Sequence, residues 1–253
     1  MQFPKILCET PTVKPGSRLV YISPHGGIRS ATAGPTIHWE DTHYCITSSH
    51  IFNETFYNLP ESDNMLEHAK ALSPFPTANY TLEILDIDEL AEQCDLTLSD
   101  LDSYHVIGEL AFSGLDQSLD FALIKLESVK YPLNRVYVDG CKRVYYQVTR
   151  VNGDPVGQVE VYVAASSGTR RGKLVPGSAR VLLPTGGKFQ PVYDALLDAP
   201  VQNGDCGACV FGKEGGFYGL VLSAGAEGNS AFVLPATCML DDLKRFREEE
   251  PSL

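Results

Sequence analysis

The segment Gly204-Asp205-Cys206-Gly207 places a cysteine in what the sequence predicts to be a tight turn between two strands. A thiol that projects from such a turn can act as a nucleophile toward an acyl group. Acyl transfer also needs backbone N–H groups that point at the developing oxyanion. Gly204 can turn its N–H inward because it lacks a Cβ, and the N–H of Cys206 would be the second donor. The pattern therefore predicts Cys206 as nucleophile, with an oxyanion hole formed by Gly204 and Cys206.

Two other segments contain residues that can support a nucleophile. His50 follows an apolar run and the small residues 47–49, which would let its turn pack closely against the nucleophile turn. Asp120 leads directly into the apolar run 121–126. Asp116, four residues earlier, is the alternative carboxylate. The direct step from Asp120 into a buried strand favours Asp120.

The elements that must position these residues are short apolar or alternating runs broken by Gly, Pro, Asn and Asp. They predict about thirteen strands, which is typical of an all-β protein with two barrels of about six strands each. The predicted strands are Leu19–Ser23, Tyr44–Thr47, Thr81–Leu85, His105–Phe112, Phe121–Leu126, Arg135–Val138, Val144–Val151, Gln158–Ala164, Ala179–Leu183, Val192–Leu197, Ala208–Phe211, Tyr218–Leu222 and Ala231–Leu234.

Helix signals are few. The range 236–248 has apolar residues at helical spacing after Pro235, which predicts a C-terminal helix. A shorter helix is predicted over Ile87–Cys94, within an acidic insertion around 54–103. The stretch Ser128–Asn134 looks like a linker between the two halves of the chain.

Composition excludes several classes of function. The chain has 253 residues, is 43% hydrophobic and carries a formal net charge of −12, so it can bury a real core but repels phosphate backbones. Nucleic acid is therefore not expected as a partner. No run of 18 apolar residues indicates a membrane span, and the first residues lack the apolar core of a signal peptide. Seven cysteines leave at least one free thiol in a monomer.

Together the three segments resemble the trypsin/chymotrypsin-like peptidases. The turn at 204–207 is similar to their Gly-Asp-Ser-Gly-Gly motif and, with cysteine in place, to the Gly-Asp-Cys-Gly signature of picornavirus- and calicivirus-type proteases. Cys45–Phe52 looks like the Leu-Thr-Ala-Ala-His segment of the superfamily, and Asp120–Leu126 resembles its Asp-Ile-Ala-Leu-Leu-Lys-Leu segment. Histidine, aspartate and nucleophile follow one another in the chymotrypsin order.

The resemblance covers roughly residues 19–246 and implies two six-stranded antiparallel β-barrels with a short C-terminal helix. The first barrel, about 1–130, would carry His50 and Asp120, and the second, about 131–253, would carry Cys206. It implies an endopeptidase without cofactor or metal, acting on a polypeptide. In this triad Cys206 attacks, His50 takes the thiol proton and Asp120 fixes the histidine tautomer. Secreted relatives have a cysteine directly after the histidine, where this chain has Ile51, so an intracellular, cytoplasmic location is expected.

The resemblance also implies where substrate binds and how the turn is held. The expected substrate-binding residues are Pro200, Gln202, Asn203, Leu222, Ser223, Ala224 and Gly225. Pro200 falls near the pocket floor and is not acidic, so cleavage after a small or medium apolar residue is expected rather than after Arg or Lys. Trypsin-like zymogens mature when a new N-terminus pairs with the aspartate before the nucleophile. Here that residue is Asp205, and we expect a different partner for it.

Other interpretations remain open at this point. Cys206 and Cys209 form a Cys-x-x-Cys, which is also found in redox and zinc sites. The pair runs into a strand and no second pair completes a metal site, so Cys209 is predicted to be a buried strand residue. A reversible disulfide between the two is a further hypothesis. The basic stretch 170–173 is interpreted as a solvated hairpin.

Two other functions share the same fold. One is a catalytically silent pseudo-peptidase that acts as a binding or scaffold module. The other is a viral polyprotein-processing cysteine protease, against which the acidic insertion and the lack of a histidine in the predicted pocket wall both count. The oligomeric state is not predicted by any pattern in the sequence.

Overall fold

The computed structural model describes residues 5–22, 28–39, 41–52, 82–84, 103–114, 119–127, 134–138, 145–177, 179–182, 189–225 and 228–249. The predicted helix Ile87–Cys94, the alternative carboxylate Asp116, and most of the acidic insertion and of the linker lie outside the described residues.

The described residues are mostly β-strands. In chain order they are β1 (Lys5–Cys8), β2 (Arg18–Ile22), β3 (Ile28–Thr32), β4 (Thr36–Trp39), β5 (Thr42–Thr47), β6 (Leu82–Ile84), β7 (His105–Ser113), β8 (Ala122–Leu126), β9 (Arg135–Tyr137), β10 (Tyr145–Gln147), β11 (Arg150–Val151), β12 (Val159–Ala165), β13 (Gly168–Val175), β14 (Arg180–Leu182), β15 (Phe189–Pro191), β16 (Tyr193–Leu197), β17 (Cys209–Phe211), β18 (Gly216–Ala224) and β19 (Ser230–Pro235). A 3-10 turn spans His50–Phe52, and the helix α1 spans Ala236–Glu249.

The first half of the chain forms a seven-stranded sheet in the order β3-β2-β1-β7-β8-β5-β4. Strands β5 and β8 are antiparallel, and Thr47 at the end of β5 pairs with Ala122 at the start of β8. Its interior contains Ile6, Leu19 and Ile124, each fully buried. Because β5 ends where β8 begins, the residues just after one and just before the other meet at the same edge.

The second half forms the sheet β11-β18-β17-β12-β13-β16-β19, and an additional β18–β19 pairing closes six of these strands into a barrel. Side chains alternate along β12: Val161 and Val163 point into the barrel, whereas Tyr162 and Ala164 belong to a separate cluster. Successive side chains of any strand point to opposite faces, and here both faces of β12 are buried, one in each cluster.

That separate cluster joins the two halves. It contains Ile46 and Leu123 from the first sheet, and Leu220 and Phe232 from the second. Three residues of α1 are also part of it, at the helical spacing that the sequence predicted: Ala236, Met239 and Leu243. The all-β architecture and the C-terminal helix are therefore confirmed. Within the described part of the chain, no helix is long and apolar enough to cross a membrane.

Of the described strands, the sequence did not predict β1, β3, β4, β13 and β15. Strand β13 contains the basic stretch that was expected to be a solvated hairpin, and for Arg170 that interpretation is wrong. The Arg170 side chain points inward and is 6% exposed. Its inward neighbour in the alternating pattern, Leu174, is fully buried in the barrel interior.

Candidate active site

His50 and Asp120 form a buried pair at the edge where β5 ends and β8 begins. His50 Nδ1 donates to Asp120 Oδ2 at 2.6 Å. The two residues are 4% and 1% exposed. With Nδ1 bound to the carboxylate, the second ring nitrogen, Nε2, is the one left for a reacting proton.

The other carboxylate oxygen of Asp120 holds the histidine turn in place. Oδ1 accepts hydrogen bonds from the backbone N–H groups of Ser49 and His50, both at 2.8 Å, and from Ser49 Oγ at 3.0 Å. Burial alone would raise the pKa of Asp120, but the His50 charge and these donors outweigh it and hold the pKa below its ordinary value. The carboxylate is therefore ionised and oriented at neutral pH.

Cys206 lies in the turn before β17 and is partly exposed. Its sulfur is near enough to the His50 ring to influence the pKa of the imidazole. Burial alone would lower the pKa of His50, but the Asp120 carboxylate, the Cys206 sulfur and the hydrogen bonds of the ring to both raise the pKa well above its ordinary value of 6.5. An imidazolium is therefore favoured between an anionic oxygen and a sulfur.

The turn at Cys206 depends on glycine at both ends. Gly204 and Gly207 have φ angles of +83° and +86°, which residues with a Cβ rarely adopt. A Cβ on Gly207 would come within 2.5 Å of Thr32 O and Thr47 Oγ1 and within 2.9 Å of Ser48 N. The Cys206 turn and the histidine segment therefore approach each other closely, as the small residues at 47–49 predict.

The backbone N–H groups of the Cys206 turn differ in whether they already donate a hydrogen bond. Gly207 N donates to Val221 O at 2.8 Å, and Asp205 N donates to Gln202 O at 3.0 Å. Among the described residues, the N–H groups of Gly204 and Cys206 have no protein acceptor. Two unused backbone donors beside a partly exposed thiol can bind a carbonyl oxygen or an oxyanion.

Asp205 is anchored by residues that the sequence analysis did not assign to the site. Its Oδ2 lies 3.3 Å from Arg170 Nη2 and accepts from Ser167 Oγ at 2.5 Å and from Gln202 N at 2.8 Å. Its Oδ1 accepts from Ser167 N at 3.1 Å and from Ser166 Oγ at 3.3 Å. The expected alternative partner of Asp205 is therefore Arg170. No local sequence pattern marks Arg170, because its inward position is known only once β13 is part of the barrel.

The predicted substrate-binding residues lie on two segments next to the Cys206 turn. In the first, which contains Pro200, Gln202 and Asn203, the Pro200 carbonyl accepts from Arg170 Nε at 2.7 Å. In the second, Leu222, Ser223 and Ala224 end β18, and Gly225 N donates to Ser230 O at 2.9 Å. The structure thus brings both segments to the same turn.

A metal site is not evident in the part of the chain that the structure describes, where no three or more His, Cys, Asp or Glu side chains are grouped to hold an ion. Cys206 and Cys209 are both free thiols. Cys209 is fully buried in the cluster between the barrels, and burial raises the pKa of its thiol. This is the buried strand residue that the sequence predicts, and the Cys206–Cys209 disulfide stays a hypothesis.

Comparison with known proteins identifies the fold of this chain but assigns it to no family. No protein-family model matches the sequence, and no curated protein matches it either. Among solved structures, a glutamic-acid-specific serine protease is similar, with 15% identity and a TM-score of 0.57 over 92% of this chain and 98% of that one. Thermobifida fusca protease A has 12% identity and a TM-score of 0.56 over 92% and 96% of the two chains. The Nocardiopsis protease has 13% identity and a TM-score of 0.51 over 85% and 91%.

These likenesses span nearly the whole of each solved chain at low identity, so they show the fold alone. The protein has the chymotrypsin-like fold of two β-barrels with a C-terminal helix, as the sequence resemblance implies.

Proposed function

We propose that this protein is a peptidase that cleaves peptide bonds through a thioester on Cys206. The observation that carries the proposal is the meeting of three side chains from separate elements. Asp120 Oδ2 and His50 Nδ1 are 2.6 Å apart at the end of one barrel. The Cys206 turn of the other barrel packs against residues 47–48 just before His50, and the Cys206 sulfur is near enough to raise the pKa of the imidazole. The similar solved structures are proteases, which supports the same class of reaction on this fold.

In the proposed reaction, the Cys206 sulfur attacks the substrate carbonyl carbon and an S–C bond forms. The thiol proton has already passed to Nε2 of His50, so a thiolate attacks beside the imidazolium, while Asp120 holds the ring through Nδ1. The oxyanion accepts hydrogen bonds from Gly204 N and Cys206 N, each worth about 3–4 kcal/mol in comparable sites. The C–N bond then breaks, and the leaving amine takes the proton from His50. Water hydrolyses the thioester and regenerates the thiol.

The substrate would bind as an extended strand along Ser223–Gly225. β19 pairs with one side of this segment, whereas the pairing of β17 with β18 begins at Leu220, so no described strand pairs with its other edge. An added peptide strand gains main-chain hydrogen bonds there. Ser230 Oγ would lie only 2.3 Å from a Cβ placed on Gly225, so a side chain at this position would not fit. The preference for a small or medium apolar residue before the cleaved bond stays a prediction from the sequence resemblance.

The direct test is a thiol-reactive, peptide-based acylating probe applied to wild type, Cys206→Ala and His50→Ala. We expect wild type alone to be labelled, and mass spectrometry to locate the adduct at position 206. Cys238→Ala removes another partly exposed thiol and is the matched control that should label normally. Equal labelling of wild type and His50→Ala would mean that Cys206 is merely an exposed thiol, and would favour the binding-module alternative.

A further inference from the structure

A cavity of about 390 Å³ lies beside the β12–β13 hairpin, outside the catalytic cleft. Three segments line it: residues 14–16 of the first half, residues 135–138 between the halves, and Ala164, Ala165, Gly168 and Thr169 of the hairpin. Its volume falls in the range that holds a small organic ligand or a short peptide end. His50, Asp120 and Cys206 are not among the lining residues.

Two cations and no described carboxylate line this cavity. Lys14 Nζ lies 5.7 Å from the centre of the Tyr137 ring, and Arg135 Cζ lies 4.9 Å from that of Tyr145. Within the described part of the chain, neither cation forms an ion pair with an acidic side chain. Cation–π contacts hold these side chains in position without neutralising their charge. The cavity therefore favours an anion in a protein whose formal net charge is −12.

The rest of the lining is mostly apolar, apart from the hydroxyl groups of Tyr137 and Thr169. Val136 and Ala165 are buried, and Ala164 is 1% exposed. An Arg fork binds a carboxylate through two parallel hydrogen bonds, and an apolar wall suits the side chain next to that carboxylate. A polyanion such as nucleic acid is disfavoured because the net negative charge of the protein repels a chain of phosphates, whereas a single carboxylate meets little of that repulsion.

Hydrogen bonds connect the hairpin that lines the cavity to the turn that carries Cys206. Ser166 and Ser167, the hairpin tip between the lining residues Ala165 and Gly168, hold Asp205 through three hydrogen bonds. The carbonyl of Gly168 accepts Arg170 Nη1 at 2.9 Å. A ligand that shifts this hairpin would shift the anchor of Asp205, the residue directly before Cys206.

We propose that this cavity binds the C-terminal carboxylate of a short apolar peptide and that its occupancy adjusts the Cys206 turn. Such a peptide end is what hydrolysis of a peptide bond after an apolar residue releases, so the regulatory part rests on the proposed function. The site would then respond to product at a position separate from the cleavage site.

Binding is tested on the full chain carrying Cys206→Ala, so that no chemistry intervenes. The probe is N-acetyl-Val-Leu with a free carboxylate, and the comparison probe is its C-terminal amide, both measured by titration calorimetry. We expect the acid to bind at least about tenfold more tightly than the amide, and Lys14→Gln or Arg135→Gln to remove most of that difference. Arg150→Gln, an exposed arginine paired with Glu214, is the matched control and should bind as the parent does.

Three results would overturn the binding site: equal affinity for acid and amide, unchanged affinity in both the Lys14 and Arg135 variants, or tighter binding of a dinucleotide. Unchanged affinity in those variants would assign the peptide to the Cys206 cleft instead. Circular dichroism of each variant shows whether a loss of affinity reflects unfolding.

The link to the turn is tested by the rate at which iodoacetamide alkylates Cys206 in the wild type. Saturating acid probe should change this rate at least about threefold in the wild type and leave it unchanged in Lys14→Gln. An unchanged rate in the wild type would refute the link. Alkylation needs only an accessible thiol, so this result and the calorimetry can be interpreted even if the acylating probe shows that Cys206 is not a catalytic nucleophile.

Discussion

Arg170 Nη2 lies 3.3 Å from Asp205 Oδ2, and the two side chains are 7% and 1% exposed. The charge of the residue directly before Cys206 is thus balanced by a side chain from β13. In trypsin-like zymogens a newly cut N-terminus has this role, as the sequence resemblance implies. Here a side chain of the same folded barrel holds Asp205.

Removing this anchor should damage both stability and the Cys206 turn. Arg170→Gln leaves the Asp205 carboxylate buried without its cation, and breaking a buried pair in this way costs about 3–5 kcal/mol. We expect a lower urea midpoint and slower labelling of Cys206 by the acylating probe. Arg171→Gln changes the exposed neighbour on the same strand and should alter neither by much. Equal effects of the two variants would contradict a specific role for Arg170.

Asp120→Asn should leave the fold intact and slow acylation. The asparagine amide N–H can donate to His50 Nδ1, which fixes the ring in the wrong tautomer, and in a serine peptidase the same change lowers kcat by about 10⁴. We expect a loss of at least about 10²-fold in the acylation rate of Cys206 under the same conditions. Asp198→Asn is the control, because Asp198 also accepts a backbone N–H, that of Arg171 at 3.1 Å, but is exposed. A rate within twofold of wild type would exclude Asp120 as a positioning residue.

The raised pKa of His50 and the lowered pKa of Asp120 predict the pH dependence of stability. The Asp120 contribution is fully present above the pKa of an unfolded aspartate, about 3.9, and is lost as pH falls through the lower folded pKa. The His50 contribution is fully present below about 6.5 and is lost as pH rises through the higher folded pKa. Urea unfolding between pH 2 and pH 10 should show both losses in wild type. In His50→Gln, the unfolding free energy should no longer fall as pH rises through the folded pKa of His50. If it falls as in wild type, the His50–Asp120 ion pair does not contribute to stability.

Gly207→Ala should push the Cys206 turn away from the histidine segment. Its Cβ would clash with Thr32 O at 2.5 Å, in addition to the strain of a positive φ. Gly157→Ala is the matched control, because Gly157 has φ +78° and an added Cβ there would meet no heavy atom within 4 Å. Both variants carry the φ strain of about 1–2 kcal/mol, so any further loss of unfolding free energy in Gly207→Ala measures the close approach. Equal losses of unfolding free energy in the two variants would show that the close contact between Gly207 and Thr32 does not add to the cost of the substitution.

Much of the site could be predicted from sequence because its residues sit in short local patterns. His50 follows a strand and small residues, and Gly207 flanks the cysteine where the chain must pass close to another backbone. The choice of Asp120 rested on its step into β8, and Asp120 is the carboxylate that bonds His50 in the structure. The role of the three residues in catalysis stays a proposal.

The rest could not be predicted because it depends on contacts between distant segments. Arg170 and Asp205 are separated by several strands and connections, and no local pattern links them. The basic character of β13 resembled a solvated hairpin, since propensity alone does not show which side of a strand faces a barrel interior. The cavity lined by Lys14 and Arg135 also requires three segments to meet.

The apolar cluster between the barrels has a thermodynamic consequence. Ile46 and Leu123 of one half pack in the same cluster as Leu220 and Phe232 of the other, so neither half can melt without exposing part of this shared cluster to water. Heating should therefore produce one calorimetric transition rather than two. Either half expressed by itself would lose the partner for this apolar face and should not fold as an independent unit.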